Sequence, residues 1–214
     1  MKKGVFITFE GPEGSGKSTH SKLLCAFLKR RRLNVLHLRE PGATKLGELI
    51  RTILLKSKNI AIDSKAEAFL YIAARAQLVS EKIIPALESG RIVVCDRFAD
   101  ATLAYQGYGL GLDIKALDNI NNFSVGNIKP DITFILDIEA RLGLGRSKTA
   151  KGFIDRIEKR PVSFHCKVRN GYLALARKDK KRIMVFSAQK NSIHQIQALI
   201  QKAAKDAISR QYIR

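Results

Sequence analysis

The sequence of 214 residues is poor in acid, with 19 acidic residues against 39 basic ones, and poor in cysteine, with three. Those cysteines, Cys25, Cys95 and Cys166, are odd in number and widely spaced, which excludes the close pairs of a zinc ribbon or a thioredoxin-like redox site. They read as buried or inert thiols in a reducing compartment. The opening MKKGVFITFEG holds only a short apolar run before Glu10, too short for a signal peptide or a membrane span. A soluble, cytoplasmic protein is expected. No stretch is long or biased enough for a linker and no segment repeats. A single domain spanning residues 1–214 is therefore expected, with 45% apolar residues to fill one core.

The formal charge of +20 attracts polyanions in general, and both nucleic acids and nucleoside triphosphates are polyanions. Charge alone does not choose between them. The stretch from Arg141 to Arg182 is the richest in basic residues, and only Asp155, Glu158 and Asp179 carry acid there.

Five apolar runs read as short buried strands: Val5 to Phe9, Asn34 to Leu38, Arg91 to Cys95, Asp131 to Leu136 and Ile183 to Phe186. Amphipathic helical stretches separate them, and turn residues cluster at Pro41-Gly42, Gly107 to Gly111 and Gly126-Asn127. Strands alternating with long helices imply right-handed crossovers, hence an α/β fold with a parallel five-stranded sheet covered by helices on both faces.

Directly after the first predicted strand stand Gly11, Pro12, Glu13, Gly14, Ser15, Gly16, Lys17 and Ser18, which satisfy G-x-x-x-x-G-K-[ST], and Thr19 to Leu28 then reads as a helix. Glycines allow backbone N–H groups to turn inward around phosphate oxygens, and the following helix adds its positive N-terminal end. Lys17 would bridge the outer phosphates of ATP, and Ser18 would offer its hydroxyl to Mg²⁺. This is the phosphate loop of a P-loop NTPase. The third strand ends in Asp96-Arg97, at the sheet edge where open α/β folds bind ligands. Asp96 would join the magnesium shell and Arg97 would grip a phosphate bidentately; an exposed ion pair at a strand end is the other reading of these two residues.

With these residues the sequence resembles the thymidylate kinase family. The resemblance is carried, besides the phosphate loop, by Arg39-Glu40-Pro41-Gly42-Ala43-Thr44, by Tyr71-Ile72-Ala73-Ala74-Arg75-Ala76-Gln77, and by the block Asp96 to Gly107. Asp155-Arg156-Ile157-Glu158, continuing through Phe164-His165 to Gly171-Tyr172-Leu173, completes it. It implies transfer of the γ-phosphoryl group of ATP to dTMP, with Mg²⁺ as cofactor. Tyr71 matches an aromatic that stacks on thymine, and Arg75, four residues on, would lie on the same helix face. Thr102 matches a contact to the base edge. Tyr105 matches the ring packed against the deoxyribose, and Glu13 the acceptor of the 3′-hydroxyl. Arg39, Arg51 and Arg97 are the candidates for the acceptor phosphate, Pro41 and Leu55 for the pocket wall, and Ala188 with Gln189 for the adenine.

Phosphoryl transfer also asks for a cation around the developing charge. The segment Arg141 to Gly152 combines glycines with Arg146, Lys148 and Lys151, as a flexible lid over ATP at about residues 141–153 would; by composition alone a solvated charged loop fits equally. Gly14 follows Glu13, so the chain resembles the family members that carry the catalytic arginine in the lid. Arg146 is the first candidate, with Arg156 at the hinge. Ala43 stands where the family has a second glycine, Ala74 where an acid is common, Phe98 where tyrosine is commoner, and Ser187 where aspartate is usual. The resemblance also implies a homodimer, with the apolar face of Phe69 to Leu78 supplying part of the interface. A kinase for dUMP, a purine monophosphate or a deoxynucleoside is the nearest rival reading. A nucleic-acid-binding P-loop ATPase is the rival from another class, and nucleic acid is not the expected partner.

Overall fold

The computed structural model describes residues 4–56, 60–126, 128–152 and 154–212. Its strands are β1 (Val5–Glu10), β2 (Val35–Arg39), β3 (Ile92–Asp96), β4 (Ile132–Asp137) and β5 (Ile183–Ser187). They form one sheet in the order β2-β3-β1-β4-β5, and every pair is parallel. The expected strands are present, each ending one residue further on than the apolar run because its last, polar residue still holds the ladder.

The helices are α1 (Lys17–Arg30), α2 (Lys45–Lys56), α3 (Ser64–Leu78), α4 (Ile84–Glu88), α5 (Ala99–Thr102), α6 (Ile114–Val125), α7 (Ala140–Lys151), α8 (Val162–Lys178) and α9 (Ile193–Tyr212). Alternation along β1 assigns the layers. Val5, Ile7 and Phe9 face α1 and α9, where Leu24, Leu28, Ile196 and Ile200 close the core. Phe6 points the other way, into a cluster with Leu78, Ile83 and Phe98. Along α9 the buried residues Ile196, Ile200, Ala204 and Ile208 recur every four positions, so one stripe of the helix meets the sheet. Cys25 and Cys95 are buried as expected, and burial pushes the Cys25 thiol up to about 11. Cys166 lies exposed on α8.

Two segments wind as π-helix, Val79–Ile83 between α3 and α4, and Leu103–Gly109 after α5. The second carries Tyr105 and Gln106, and the wider turn re-aims their side chains toward the sheet edge.

The expected lid loop is instead helix α7. Glu139 caps it by accepting from the N–H groups of Arg141 (3.1 Å) and Leu142 (2.9 Å), and Gly152 ends it in the left-handed region. The glycines that suggested flexibility serve close approach. A Cβ on Gly143 would sit 2.3 Å from the Glu13 carbonyl oxygen, and one on Gly14 would sit 2.0 Å from that of Gly143. Phe153, at the end of the expected lid, the Lys151 side chain, and Asn127 of the expected turn lie outside the described residues. Among the described residues no helix is long and apolar enough to cross a membrane.

The turn after β2 shows the consequence of Ala43. Its φ is +64°, a region that an L side chain enters at a cost of roughly 1 kcal/mol, and its N–H is held there by Glu48 Oε1 at 2.9 Å. Ala43→Gly should raise the free energy of unfolding by about 0.5–1 kcal/mol, read as a shift of the denaturation midpoint at constant slope.

Candidate active site

The phosphate loop runs from the end of β1 into α1. Gly16, at the N-cap, is left-handed at φ 92° and has no side chain to cap the helix, so the first amides of α1 keep their donors for an anion. Lys17 folds back over the loop, its Nζ donating to the Pro12 carbonyl oxygen at 2.7 Å and to Ser15 Oγ at 3.3 Å. Burial, and then the neighbouring Arg97, bring the Lys17 pKa down to about 8.

Ser18 Oγ donates to Asp96 Oδ2, so the hydroxyl after Lys17 and the carboxylate ending β3 meet. This pair is the hard-oxygen donor set that Mg²⁺ takes, completed by phosphate oxygens and water. One hydroxyl and one carboxylate fit a cation whose remaining ligands come from a nucleotide and water. Thr19, also expected at the ATP phosphates, lies exposed on the first turn of α1.

Beside the loop opens a cavity that Glu13 of the loop itself lines. Of the residues expected to contact the acceptor, Glu13, Pro41, Arg51, Leu55, Tyr71 and Arg75 line it, together with Arg97, Thr102 and Tyr105. Arg97 organises one wall. Its Nη1 donates to the carbonyl oxygen of Gly11 and to Tyr172 Oη, both at 3.0 Å. Its Nη2 donates to Glu13 Oε1 and Tyr105 Oη, both at 2.9 Å. The Tyr105 hydroxyl in turn donates to Glu13 Oε1 at 2.7 Å. All four terminal N–H groups of Arg97 are thus engaged within the protein, so the bidentate grip on a phosphate expected of it is not presented in this structure.

Arg75 is fully buried. Nε and Nη2 donate to the two oxygens of Glu40, Nη1 to Asn121 Oδ1, and Nη2 also to Thr102 Oγ1 at 2.9 Å. It presents a fixed edge to the cavity, not a mobile one. Arg51 donates through Nη1 to the Pro41 carbonyl oxygen at 2.8 Å.

Arg39, Arg156 and Arg146 stand outside the cavity lining. Arg39 does not line the cavity: its Nη2 reaches both oxygens of Glu48 at 3.1 Å at the surface, because Glu48 in the first turn of α2 gathers Arg39 and the Ala43 amide into one turn. Arg156 does not stand free for catalysis. Its Nε donates to the Leu54 carbonyl oxygen at 2.7 Å and its Nη2 to buried Glu67 at 2.6 Å, so it anchors the segment after α7 to α2 and α3. Arg146 is exposed, with Nη1 on the Ala188 carbonyl oxygen at 3.3 Å. The lid arginine and the two adenine-proximal candidates are brought together, since Gln189 Oε1 accepts from the Glu139 amide at 3.2 Å beside them.

Sequence reasoning left Glu40, Gln106 and Ile157 without a role, though each lines the cavity and stands inside a block that carried the resemblance. It also passed over Glu10 and Tyr172. Burial, then Asp100, pushes the Glu10 carboxyl up to about 8, against the opposing pull of Arg97, the Tyr172 hydroxyl and the Phe98 N–H.

A phosphate loop whose Glu13 also lines the neighbouring cavity fits a nucleotide kinase of the P-loop class. The comparisons agree on the particular group. The family model for thymidylate kinase matches residues 9–200. The chain is 43% identical over 207 residues to a thymidylate kinase of Geobacillus sp. (strain WCH70), covering 96% of this chain and 98% of that one. It is 46% identical over 190 residues to one from Solidesulfovibrio magneticus, covering 86% and 91%. A crystal structure of thymidylate kinase from Ehrlichia chaffeensis superposes with a TM-score of 0.76 at 35% identity, covering 95% of this chain and 99% of that one. The chain belongs to the thymidylate kinase family.

The low pKa of Lys17 has a directional consequence. Below about pH 8 its ammonium is already charged and meets phosphate without proton uptake; above that, ATP binding must draw in a proton. Affinity for ATP should fall with rising pH above about 8, by up to tenfold per unit. Calorimetry at pH 9 in two buffers of different ionisation heat should show net proton uptake.

Proposed function

We propose that this protein transfers the γ-phosphoryl group of ATP to dTMP, giving ADP and dTDP, as a cytoplasmic enzyme. The observation that supports it most directly is that Glu13 and Arg97 belong to both subsites: each touches the phosphate loop and each lines the nucleoside cavity. Donor and acceptor phosphates would meet where these two side chains pair. Positioning and electrostatic stabilisation are most of what phosphoryl transfer requires of a protein.

In this reading Lys17 and the α1 amides hold the ATP phosphates. Ser18 and Asp96 hold Mg²⁺ with the nucleotide, where the cation offsets charge on the transferring group. Arg97 and Arg51 face the acceptor phosphate, Tyr71 stacks on thymine, and the fixed edge of Arg75 with Thr102 reads the base. Tyr105 is braced by Glu13 and by edge contacts with Phe164 and Tyr172, at centroid distances of 6.1 and 6.2 Å. Such a braced ring would leave little room for a ribose 2′-hydroxyl, which favours a deoxyribonucleotide. Gly14 admits no side chain against Gly143, so the cation at the transferred phosphoryl comes from α7, with Arg146 the first candidate and Lys148 and Lys151 the others.

A coupled ADP-release assay with Mg²⁺ and ATP should give the highest kcat/KM with dTMP among dTMP, dUMP, dCMP, dGMP, AMP and thymidine. Tyr71→Ala should lower kcat/KM for dTMP by roughly ten- to a hundredfold, the size of one lost base-stacking contact. Turnover stimulated by DNA and indifferent to dTMP would reject the assignment in favour of a nucleic-acid-dependent ATPase.

We also propose that the enzyme is a homodimer through α2, α3 and α6. Leu49 and Phe69 are 66% and 54% exposed and Phe123 is 90% exposed, on helices that pack side by side. Burying large apolar side chains left in water at this density is the usual source of association energy. Leu49→Asp combined with Phe123→Asp should convert a dimeric mass in light scattering to that of the 23.9 kDa chain; an unchanged mass would locate the interface elsewhere or remove it.

A further inference from the structure

The arginine shared by the two subsites is itself held from behind. Arg97 has φ of +72°, a conformation L residues seldom adopt without a compensating framework. The framework is adjacent. The Arg97 N–H donates to the Phe9 carbonyl oxygen at 2.9 Å, and the next amide, that of Phe98, donates to Glu10 Oε1 at 2.7 Å. The second oxygen of Glu10 accepts from the Tyr172 hydroxyl at 2.8 Å, and Tyr172 in turn accepts from Arg97 Nη1 at 3.0 Å. Successive residues of β1 thus hold the backbone on both sides of Arg97, and Glu10 reaches its guanidinium through Tyr172.

Neither Glu10 nor Tyr172 lines the cavity, and both have 0% exposure. An apolar pair of the same shape would fill this space without the desolvation cost of a buried carboxyl. What Glu10 and Tyr172 add is direction. The Arg97 carbon lies 4.8 Å from the centroid of the Tyr105 ring, which limits one side of the guanidinium, and Tyr172 limits its rotation from another.

We infer that Glu10 and Tyr172 are positioning residues for the acceptor phosphate, acting through Arg97 and not through the nucleoside. The inference rests on the reading of Arg97 as a contact to the dTMP phosphate. It separates the acceptor's phosphate from the rest of the nucleotide. Loss of the Tyr172 hydroxyl frees the guanidinium but leaves the stacking and base-reading groups in place.

The test compares wild-type protein with Tyr172→Phe and Glu10→Gln, measuring KM and kcat for dTMP, KM for ATP, and the inhibition constant of thymidine, which has no phosphate. Tyr172→Phe should raise KM for dTMP about tenfold, the effect of one lost hydrogen bond to a charged group, while the ATP KM and the thymidine constant stay within about twofold. Glu10→Gln keeps an acceptor for the Phe98 amide and offers an NH₂ to the Tyr172 oxygen, so its effect should be smaller and of the same pattern. Equal weakening of dTMP and thymidine in Tyr172→Phe, or no change in either, would overturn the inference and leave Tyr172 as packing. Should Tyr172→Phe not fold, Glu10→Gln carries the same comparison. A wild-type protein that fails to phosphorylate dTMP would reject the functional reading itself, a result distinct from normal turnover with unaffected variants.

Discussion

The pairing of Arg97 with Glu13 is the interaction on which the site depends. It joins the end of β3 to the phosphate loop after β1 at 2.9 Å, with each side chain 16% exposed. At that burial, neither charge is cheap to leave alone, because the desolvation that weakens each ion is offset only by its partner and by the hydroxyls around them. Tyr105 and Tyr172 supply those hydroxyls from the π-helical segment and from α8. Sheet, loop and two flanking helical segments therefore converge on one guanidinium. The two strands that bear the pair are neighbours in the sheet, in register from Val5 opposite Ile92 to Phe9 opposite Asp96. Strand register, fixed by the buried alternation of β1, thus decides the distance between the phosphate loop and the Arg97 wall of the cavity.

Further into the cavity the same logic recurs with different residues. Glu40 and Arg75 form a fully desolvated pair, and Glu67 accepts from both Arg156 and Arg160 at 2.6 Å while Gln106 donates to its other oxygen at 2.9 Å. Buried ion pairs contribute little net stability compared with apolar packing, but breaking one partner is costly, so they fix geometry strongly. Held by Glu40, Asn121 and Thr102, the Arg75 guanidinium offers the cavity a single orientation. Preorganisation of this kind lowers the ordering cost of binding.

The placement of α7 follows from a contact between two backbones. Gly14 and Gly143 approach so closely that a side chain at either would collide with main chain, and the packed α7 that results brings Arg146 to the β5 end of the site. Ser147, bonded to Glu158, ties α7 to the segment that follows it, and Arg156, bonded to Glu67, ties that segment to α3. A glycine-rich basic stretch has the composition of a loop. Its conformation here is set by what it packs against.

Much of this was legible in the sequence. Apolar runs gave the five strands, since period and length determine which segments can be buried as a sheet, and the phosphate loop and Asp96-Arg97 announced themselves by residue type at fixed spacing beside a strand end. The departure at Ala43 was legible through the resemblance, because a position where glycine is usual can need a backbone that a methyl group restricts. Side-chain partnership was not. Arg39 and Arg75 are both arginines in characteristic blocks, yet one turns outward onto Glu48 and the other is sealed against Glu40; Arg156 belongs to Glu67, a residue 89 positions away. Sequence by itself determined the elements, the order of the motifs and the chemistry available. Only the tertiary structure decided which charges are paired, which are presented and in what direction, because those depend on long-range distances and on desolvation that no local pattern encodes.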